Sequence, residues 1–400
     1  MISRLPSELL HRIFTLYVGE PEPTTHAPGR SPVSLHFGSY PRSPSFSTPI
    51  HLAVVCRHWR SIALSSPDLW AWADVRDPRP RDAHIFELWI ARSAPHVLSL
   101  SIHDDFLQRR PHEPRRELSA VLGAAISACG RWGRVSLSLS EHTACFLFQN
   151  GEFVTKKLPL NSMVAFDIEV VPTDAGVGEP GSTPPVHDIC RRFSSSPKLA
   201  MASWRSVVDA DIMGYVPFRQ LTSLSLASVA DGMAERVLSE CAELRELTIQ
   251  RWVPGGLPSH RQPGCPIVLA KLEIARIGYH DEYMALPTFF QDYRTPVLQE
   301  LVLERGFGRL EGAFGPQWTF PLGRGDVVGW KGLVGFLERS GAVLRKLTYC
   351  PLIRLSGVEE RVMAEYLERD VFSGLLQRPR TGQKAENLGY PRVINDNSWF

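Results

Sequence analysis

Three short segments carry side chains of the types that bind cofactors or metal ions. Gly176, Gly178 and Gly181 have the spacing of the fingerprint that holds the phosphates of a dinucleotide. In that fingerprint a helix opens directly behind the glycines, and its first N–H groups bind the phosphate. Residues 182–185 read Ser-Thr-Pro-Pro instead, so we expect a loop and no cofactor.

The other two segments contain metal-ligand types. His103, Asp104 and Asp105 form one segment, and His187 is followed closely by Asp188 and Cys190 in the other. Neither has further ligands at the spacing of known metal sites, so we expect no metal. The sequence also lacks a nucleophile elbow, a zinc-protease helix motif and a phosphate loop, which argues against an enzyme. A catalytic cysteine paired with a distant histidine stays open.

Composition limits the setting in which these residues act. The 400-residue chain is 44% hydrophobic, enough for a sizeable core, and its net charge is only +2. Such a balance does not favour nucleic acid or an acidic membrane as a partner. Seven scattered cysteines without a Cys-x-x-Cys pair are typical of reduced thiols, so we expect a cytoplasmic or nuclear protein. No apolar run approaches about 18 residues, so we expect no membrane span.

The N-terminal residues predict a helix with a wide apolar stripe. Pro6 suits a first helical turn, and Glu8 places negative charge at the positive end of the helix dipole. Gly19 and the prolines that follow it end the helix. The stripe consists of Leu9, Leu10, Ile13, Phe14, Leu16 and Tyr17.

A second amphipathic helix is predicted over residues 52–63, and a third starts soon after. Ser66 has the character of an N-cap, Pro67 of a first helical residue and Asp68 of a partner for the helix dipole. On pattern alone, these helices are equally well an N-terminal cap on a larger domain. The apolar face of the second helix consists of Leu52, Val55, Cys56, Trp59, Ile62 and Ala63.

In this order the segments resemble an F-box, which is a docking element. The motif residues are Leu5, Pro6, Glu8, Leu9 and Leu10, then Val55, Cys56, Arg57 and Trp59, then Leu69 and Trp70. The resemblance covers residues 3–75 and is interrupted at residues 20–50 by a Pro-, Ser- and Thr-rich insertion, which we expect to be flexible. It implies a Skp-family adaptor as partner. The implied adaptor-binding residues are Leu5, Pro6, Leu9, Ile13, Phe14, Val55, Cys56, Trp59, Leu69 and Trp70, the last five joining the interface or packing the core behind it.

Downstream, segments of the form Leu-x-x-Leu-x-Leu recur with strand-like alternation. Copies begin at Leu221, Leu244, Leu269 and Leu298, at intervals of 23, 25 and 29 residues (244−221, 269−244, 298−269). Helical patterns over residues 116–129, 232–241 and 332–340 lie between copies. Further copies begin at Leu199 and Leu344, and looser ones at Val97, Val135 and Val164.

A strand plus a helix every 20–29 residues is typical of a leucine-rich repeat, whose units stack into a curved solenoid. The spacing is irregular, and the asparagine that usually stands three residues after the last apolar position of such a repeat is absent. A mixed α/β domain with leucine-rich strands is therefore the alternative. We place this α/β repeat domain at residues 76–377, ending in a helix over 357–376, with a mobile tail at 378–400. Outward strand residues are the predicted target-binding set: Arg245, Glu246, Lys271, Glu273, Gln299, Glu300, Arg345 and Lys346.

The resemblance implies the substrate-recognition subunit of a cullin–RING, SCF-type ubiquitin ligase, a non-catalytic adaptor that holds a target protein. One alternative is an F-box scaffold or interaction module without a role in ubiquitination. Another is an enzyme with an unrecognised site on an α/β domain.

Overall fold

The computed structural model describes residues 5–18, 35–36, 49–76, 78, 80–104, 116–148, 158–171, 185–207, 214–253, 266–279, 286–305 and 326–349. Within these residues helices alternate with strands, which confirms the predicted α/β class. The chain forms two compact units, Met1–Leu199 and Ala200–Phe400. The predicted helix over 357–376, the tail, the three glycines at 176–181 and most of the insertion at 20–50 lie outside the described residues.

The first unit begins with helices and continues with alternating strands and helices. Its helices are α1 Ser7–Val18, α2 Pro49–Val55, α3 Arg57–Ser65, α4 Pro80–Arg92, α5 Arg116–Ser127, α6 Glu141–Phe148 and α7 Pro185–Phe193. Its strands are β1 Leu35–His36, β2 Trp72–Arg76, β3 Leu98–His103, β4 Trp132–Ser140 and β5 Ala165–Val171.

The second unit is richer in strands. These are β6 Met201–Val207, β7 Ser223–Ala230, β8 Glu246–Val253, β9 Ile267–Val268, β10 Ile274–Tyr279, β11 Tyr293–Arg294, β12 Glu300–Arg305 and β13 Lys346–Tyr349. Its helices are α8 Asp231–Glu240, α9 Leu286–Asp292 and α10 Asp326–Ser340.

In each unit the strands pair in parallel and in chain order. The order is β1-β2-β3-β4-β5 in the first unit and β6-β7-β8-β10-β12-β13 in the second, where β9 and β11 form a separate pair. A doubly wound sheet would reverse its order at a switch point. Within each unit this order does not reverse, so each strand of the larger sheet lies beside the strand of that sheet which precedes it in the chain.

The same backbone geometry recurs where successive strands of the second unit begin. One carbonyl accepts hydrogen bonds from the N–H groups of two successive residues on the next strand, at 2.8–3.1 Å. The carbonyl groups belong to Ala200, Thr222, Arg245, Glu273 and Gln299. The segments at these positions are therefore structurally equivalent, and we call them repeat segments.

This equivalence corrects one predicted segment. Arg245 pairs with Glu273, so Leu272 and not Leu269 takes the place of Leu244. The strand predicted over 269–274 is thus displaced by three residues, and β10 begins at Ile274. Leu269 and Leu272 are both buried, so the leucine pattern fits two registers equally well.

Two further predictions near the N-terminus are wrong. The single helix expected over 52–63 is divided at Cys56, whose φ of −158° and ψ of 170° are extended. Its thiol accepts a hydrogen bond from the Trp59 N–H at 3.5 Å and caps α3. The expected third helix is a single 3-10 turn, Pro67–Trp70, after which strand β2 begins at Trp72.

Candidate docking surface

Helix α1 carries two apolar stripes that differ in burial. Leu10, Phe14 and Val18 recur every four residues and are buried in the first unit. Leu9, Ile13, Leu16 and Tyr17 also share one side of the helix, but they are exposed, Leu16 to 76%. A helix that is apolar over so much of its circumference is normally covered on both sides. The second stripe is therefore a surface to which a partner can bind.

The next two helices also expose apolar side chains. On α2, Leu52 and Ala53 are buried, while Val54 is 66% exposed. Within the described residues, eight of the fourteen large hydrophobic side chains that are exposed belong to α1, α2 and α3. We call these eight the docking face: Leu9, Ile13, Leu16, Tyr17, Ile50, Val54, Val55 and Leu64.

Contacts behind the docking face fix the helices to one another. The rings of Phe14 on α1 and Trp59 on α3 meet edge-on, with centroids 4.9 Å apart. The His11 Nε2 lies 3.0 Å from an oxygen of Asp68, which joins α1 to the 3-10 turn. The Arg60 Nε donates a 2.8 Å hydrogen bond to the Ala53 carbonyl and joins α3 to α2. The apolar surface is thus presented by packed helices.

The predicted adaptor-binding residues divide into three groups. Pro6, Leu9, Ile13 and Val55 are exposed. Leu5, Cys56 and Trp59 are partly exposed. Phe14, Leu69 and Trp70 are buried, so they pack the core behind the face and do not form it. Phe14 lies directly behind the exposed stripe, because its ring packs between α1 and α3.

Five residues of the docking face were not among the predicted ones: Leu16, Tyr17, Ile50, Val54 and Leu64. Leu16 and Tyr17 belong to the apolar stripe seen in the sequence, but spacing does not tell which part of a wide stripe is covered. Val54 lies outside the apolar face expected for residues 52–63. The division of that helix at Cys56, which leaves Val54 on the separate helix α2, has no signal in the sequence.

Trp70 connects the helices to the strands of the first unit. Its indole N–H donates to the Ala63 carbonyl at 2.8 Å, and its ring meets Trp89 of α4 at a centroid distance of 4.7 Å. The Trp89 indole in turn donates to the Trp72 carbonyl, and the Arg92 guanidinium lies 4.8 Å from the centroid of Trp70. The N-terminal helices and the first strands therefore share one core.

The predicted target-binding residues lie on β8, β10, β12 and β13 or directly before these strands. Arg245, Glu273, Gln299 and Arg345 occupy equivalent positions, as their backbone hydrogen bonds show. Glu246, Glu300 and Lys346 occupy the next position, together with Ile274. Because of the displaced register, Lys271 is equivalent to Glu243 of the preceding repeat segment, and it is exposed beside that residue.

Most charges in this set are paired between neighbouring strands. Arg245 lies 3.4 Å from Glu273, and Lys271 lies 2.5 Å from Glu243. One oxygen of Glu300 accepts both Arg276, at 3.5 Å, and Lys346, at 2.9 Å. Exposed pairs of this kind contribute about 0–1 kcal/mol to stability. Their arrangement affects recognition more than folding.

A serine, a histidine and an aspartate come together on β2 and β3. The Ser101 hydroxyl is 2.7 Å from His103 Nε2, and the same nitrogen is 3.8 Å from an Asp74 oxygen. A catalytic triad uses one imidazole nitrogen for the serine and the other for the carboxylate. Ser101 is also buried at 3% exposure, so its hydroxyl is not presented to a substrate. This cluster therefore does not have the geometry of a triad.

The described cysteines are free thiols, and three have raised pKa values. Burial raises the pKa of Cys129 and Cys145, the latter also through the Glu141 carboxylate. Burial, aided by Glu240, raises the pKa of Cys241 to about 12. A reactive thiol needs a lowered pKa, so these three do not have the character of reactive thiols.

The side chains of metal-ligand type do not form a metal site in the described part of the chain. Among the described residues there is no group of three or more histidine, cysteine, aspartate or glutamate side chains that could hold a metal ion. His187 is buried on α7. This helix begins at Pro185, where the fixed φ of proline suits a first turn. No helix in the described part of the chain is long and apolar enough to cross a membrane.

Comparison with known proteins adds no assignment: no family model matches the chain, and no curated protein matches its sequence.

Proposed function

We propose that this chain is the substrate-recognition subunit of a cullin–RING, SCF-type ubiquitin ligase. Its N-terminal helices are an F-box that binds a Skp-family adaptor. The strands and helices that follow are a degenerate leucine-rich-repeat domain that holds a target protein, and the setting is the cytoplasm or nucleus.

The observation that carries the proposal is the exposed second stripe of α1. Covering one large apolar side chain stabilises a complex by about 1.5–3 kcal/mol before the costs of association. Leu9 and Ile13 lie in this stripe, and the F-box resemblance names both as adaptor contacts. Sequence motif and surface thus indicate the same side of α1.

The repeat reading is supported by strand order and by the recurring backbone geometry. Stacked repeats produce parallel strands that follow one another in chain order, with a connecting segment between each strand and the next. The equivalent carbonyls from Ala200 to Gln299 give the second unit a common repeating frame. Rows of outward side chains at fixed positions then form a surface for a target.

Adaptor binding tests the proposal directly. The full chain is co-expressed with the Skp-family adaptor of the same organism, and the amount co-purified is compared with that of Leu9→Asp. We expect the variant to lose the complex, because a carboxylate buried in an apolar contact costs several kcal/mol. Leu88→Asp is the matched control, since Leu88 is an exposed leucine on α4 outside the docking face.

Two results would overturn the F-box assignment. One is a folded wild-type chain that does not bind the adaptor, and the other is Leu9→Asp binding at the wild-type level. If the adaptor binds, co-purification of the cullin and transfer of ubiquitin to a captured protein distinguish the ligase subunit from an F-box scaffold.

A further inference from the structure

The charge pattern of the second unit changes along its strands. From β8 to β10 the exposed charges are balanced, because Arg245 pairs with Glu273 and Lys271 pairs with Glu243. At β13 this balance is lost. Lys346 shares the single carboxylate of Glu300 with Arg276, so two cations face one anion.

Arg345 adds a third cation at the same end. It is exposed, and no carboxylate among the described residues pairs with it. Its N–H donates to the Gln299 carbonyl, which places it beside an uncharged residue of the preceding strand. Among the described side chains, the charged residues where β12 and β13 begin are thus Arg345, Lys346 and Glu300, and Arg276 of β10 shares the Glu300 carboxylate.

Two exposed valines accompany the excess of positive charge. Val297 directly precedes the buried Leu298, and Val343 directly precedes the buried Leu344. The two valines hold equivalent positions in neighbouring repeat segments of the second unit. In the two preceding repeat segments this position is occupied by Glu243 and by Lys271, which form an ion pair with each other. Two charges that neutralise each other are thus replaced by two apolar side chains, of which Val297 is 42% exposed and Val343 is 53% exposed.

We propose that Val297, Val343, Arg345 and Lys346 bind an acidic segment of the target protein through its carboxylates and an aliphatic side chain. The positive excess selects acidic residues by charge complementarity. The two valines lie at equivalent positions, three residues before the adjacent strands β12 and β13, and because both are exposed they together offer contact to one aliphatic group. This inference rests on the proposed function, because it names the target chemistry recognised by the repeat domain.

Fluorescence anisotropy with the full chain tests the site. The probe is a short fluorescein-labelled peptide of glutamates with two leucines, and its counterpart has lysine in place of each glutamate. We expect binding of the acidic peptide only, weakening as salt is added because the attraction is screened. Arg345→Glu with Lys346→Glu should weaken binding about tenfold or more, since each attraction becomes a repulsion.

Matched variants separate the site from net charge. Lys198→Glu with Arg236→Glu changes the net charge equally at exposed cations elsewhere, and should leave binding of the peptide unchanged. Val297→Ser with Val343→Ser should remove the preference for leucine over alanine in the probe. If charge reversal harms folding, as far-UV circular dichroism would show, Arg345→Gln provides the milder test, with severalfold weaker binding expected.

The site would be refuted if the acidic peptide did not bind, if the lysine peptide bound equally, or if the two double charge reversals had the same effect. Co-purification of the adaptor is measured on the same samples. Retained adaptor binding with no peptide binding would refute this site while leaving the F-box assignment intact.

Discussion

The edge of the Phe14 ring meets the indole of Trp59 at a centroid distance of 4.9 Å and an interplanar angle of 60°. This contact joins α1 to α3 and leaves the outer side of α1 uncovered. The same helix thus has residues that hold the fold and residues available to a partner. These two roles predict different responses to mutation.

Phe14→Ala should lower the free energy of unfolding of the first unit. Removal of a fully buried aromatic side chain costs about 3–5 kcal/mol through lost burial and the cavity left behind. Urea unfolding followed by tryptophan fluorescence measures the effect. Ile13→Ala provides the control, because the neighbouring Ile13 is exposed and should change stability by less than about 1 kcal/mol. Equal losses in both variants would contradict the assigned burial.

Leu16→Asp should abolish adaptor binding without loss of stability. Leu16 is the most exposed of the described large hydrophobic side chains and lies beside Ile13 on the outer stripe. The charge is solvated in the free protein and loses water only in the complex. Isothermal titration with the adaptor measures binding, and urea unfolding of the same sample measures stability. Wild-type affinity would exclude this end of α1 from the interface.

Gly278→Ala should destabilise the second unit by about 1–3 kcal/mol or more. A Cβ built at Gly278 would lie 1.8 Å from the Gln250 carbonyl oxygen, at the irregularity where β10 passes β8. The obstacle is backbone, so a rotamer change cannot relieve it. Gly123→Ala on α5 is the control, since a Cβ there has nothing within 4 Å. Alanine favours a helix by about 1 kcal/mol over glycine, so the control should be neutral or stabilised.

Cys241 should react slowly with iodoacetamide in the native protein, and stability should fall at alkaline pH. Burial raises its pKa to about 12, so the folded state binds the proton more tightly than the unfolded state, whose thiol has a pKa of about 8.5. Stability is therefore fully present below about pH 8.5 and decreases as pH rises toward 12, by at most about 1.4 kcal/mol per pH unit.

Two measurements check this behaviour of Cys241. Mass spectrometry of labelled peptides should show Cys56, which is partly exposed, modified before Cys241. The difference in unfolding free energy between wild type and Cys241→Ala should shrink between pH 8.5 and 10. Labelling of Cys241 as fast as Cys56 would mean that the thiol is accessible.

The sequence by itself determined the kinds of elements and their order. Alternating leucines at 221–226 and 298–303 predicted strands because side chains in a strand alternate between two faces, and β7 and β12 occupy these places. The apolar spacing and the prolines bounded α1 in the same way. Local backbone preference and periodicity decide such features, so a short window of residues contains the information.

Only the tertiary structure decided which of two possible strand registers is formed and which side of a helix is buried. Leu269 and Leu272 both fit the repeat, and the bonds from Arg245 to the strand after Leu272 selected the second. Phe14 and Leu16 belong to one apolar stripe, but the ring of Trp59 covers the first and leaves the second exposed. Periodicity states which residues share a side of an element. Which side is covered depends on contacts with residues distant in sequence, and these contacts separate the core from the docking face.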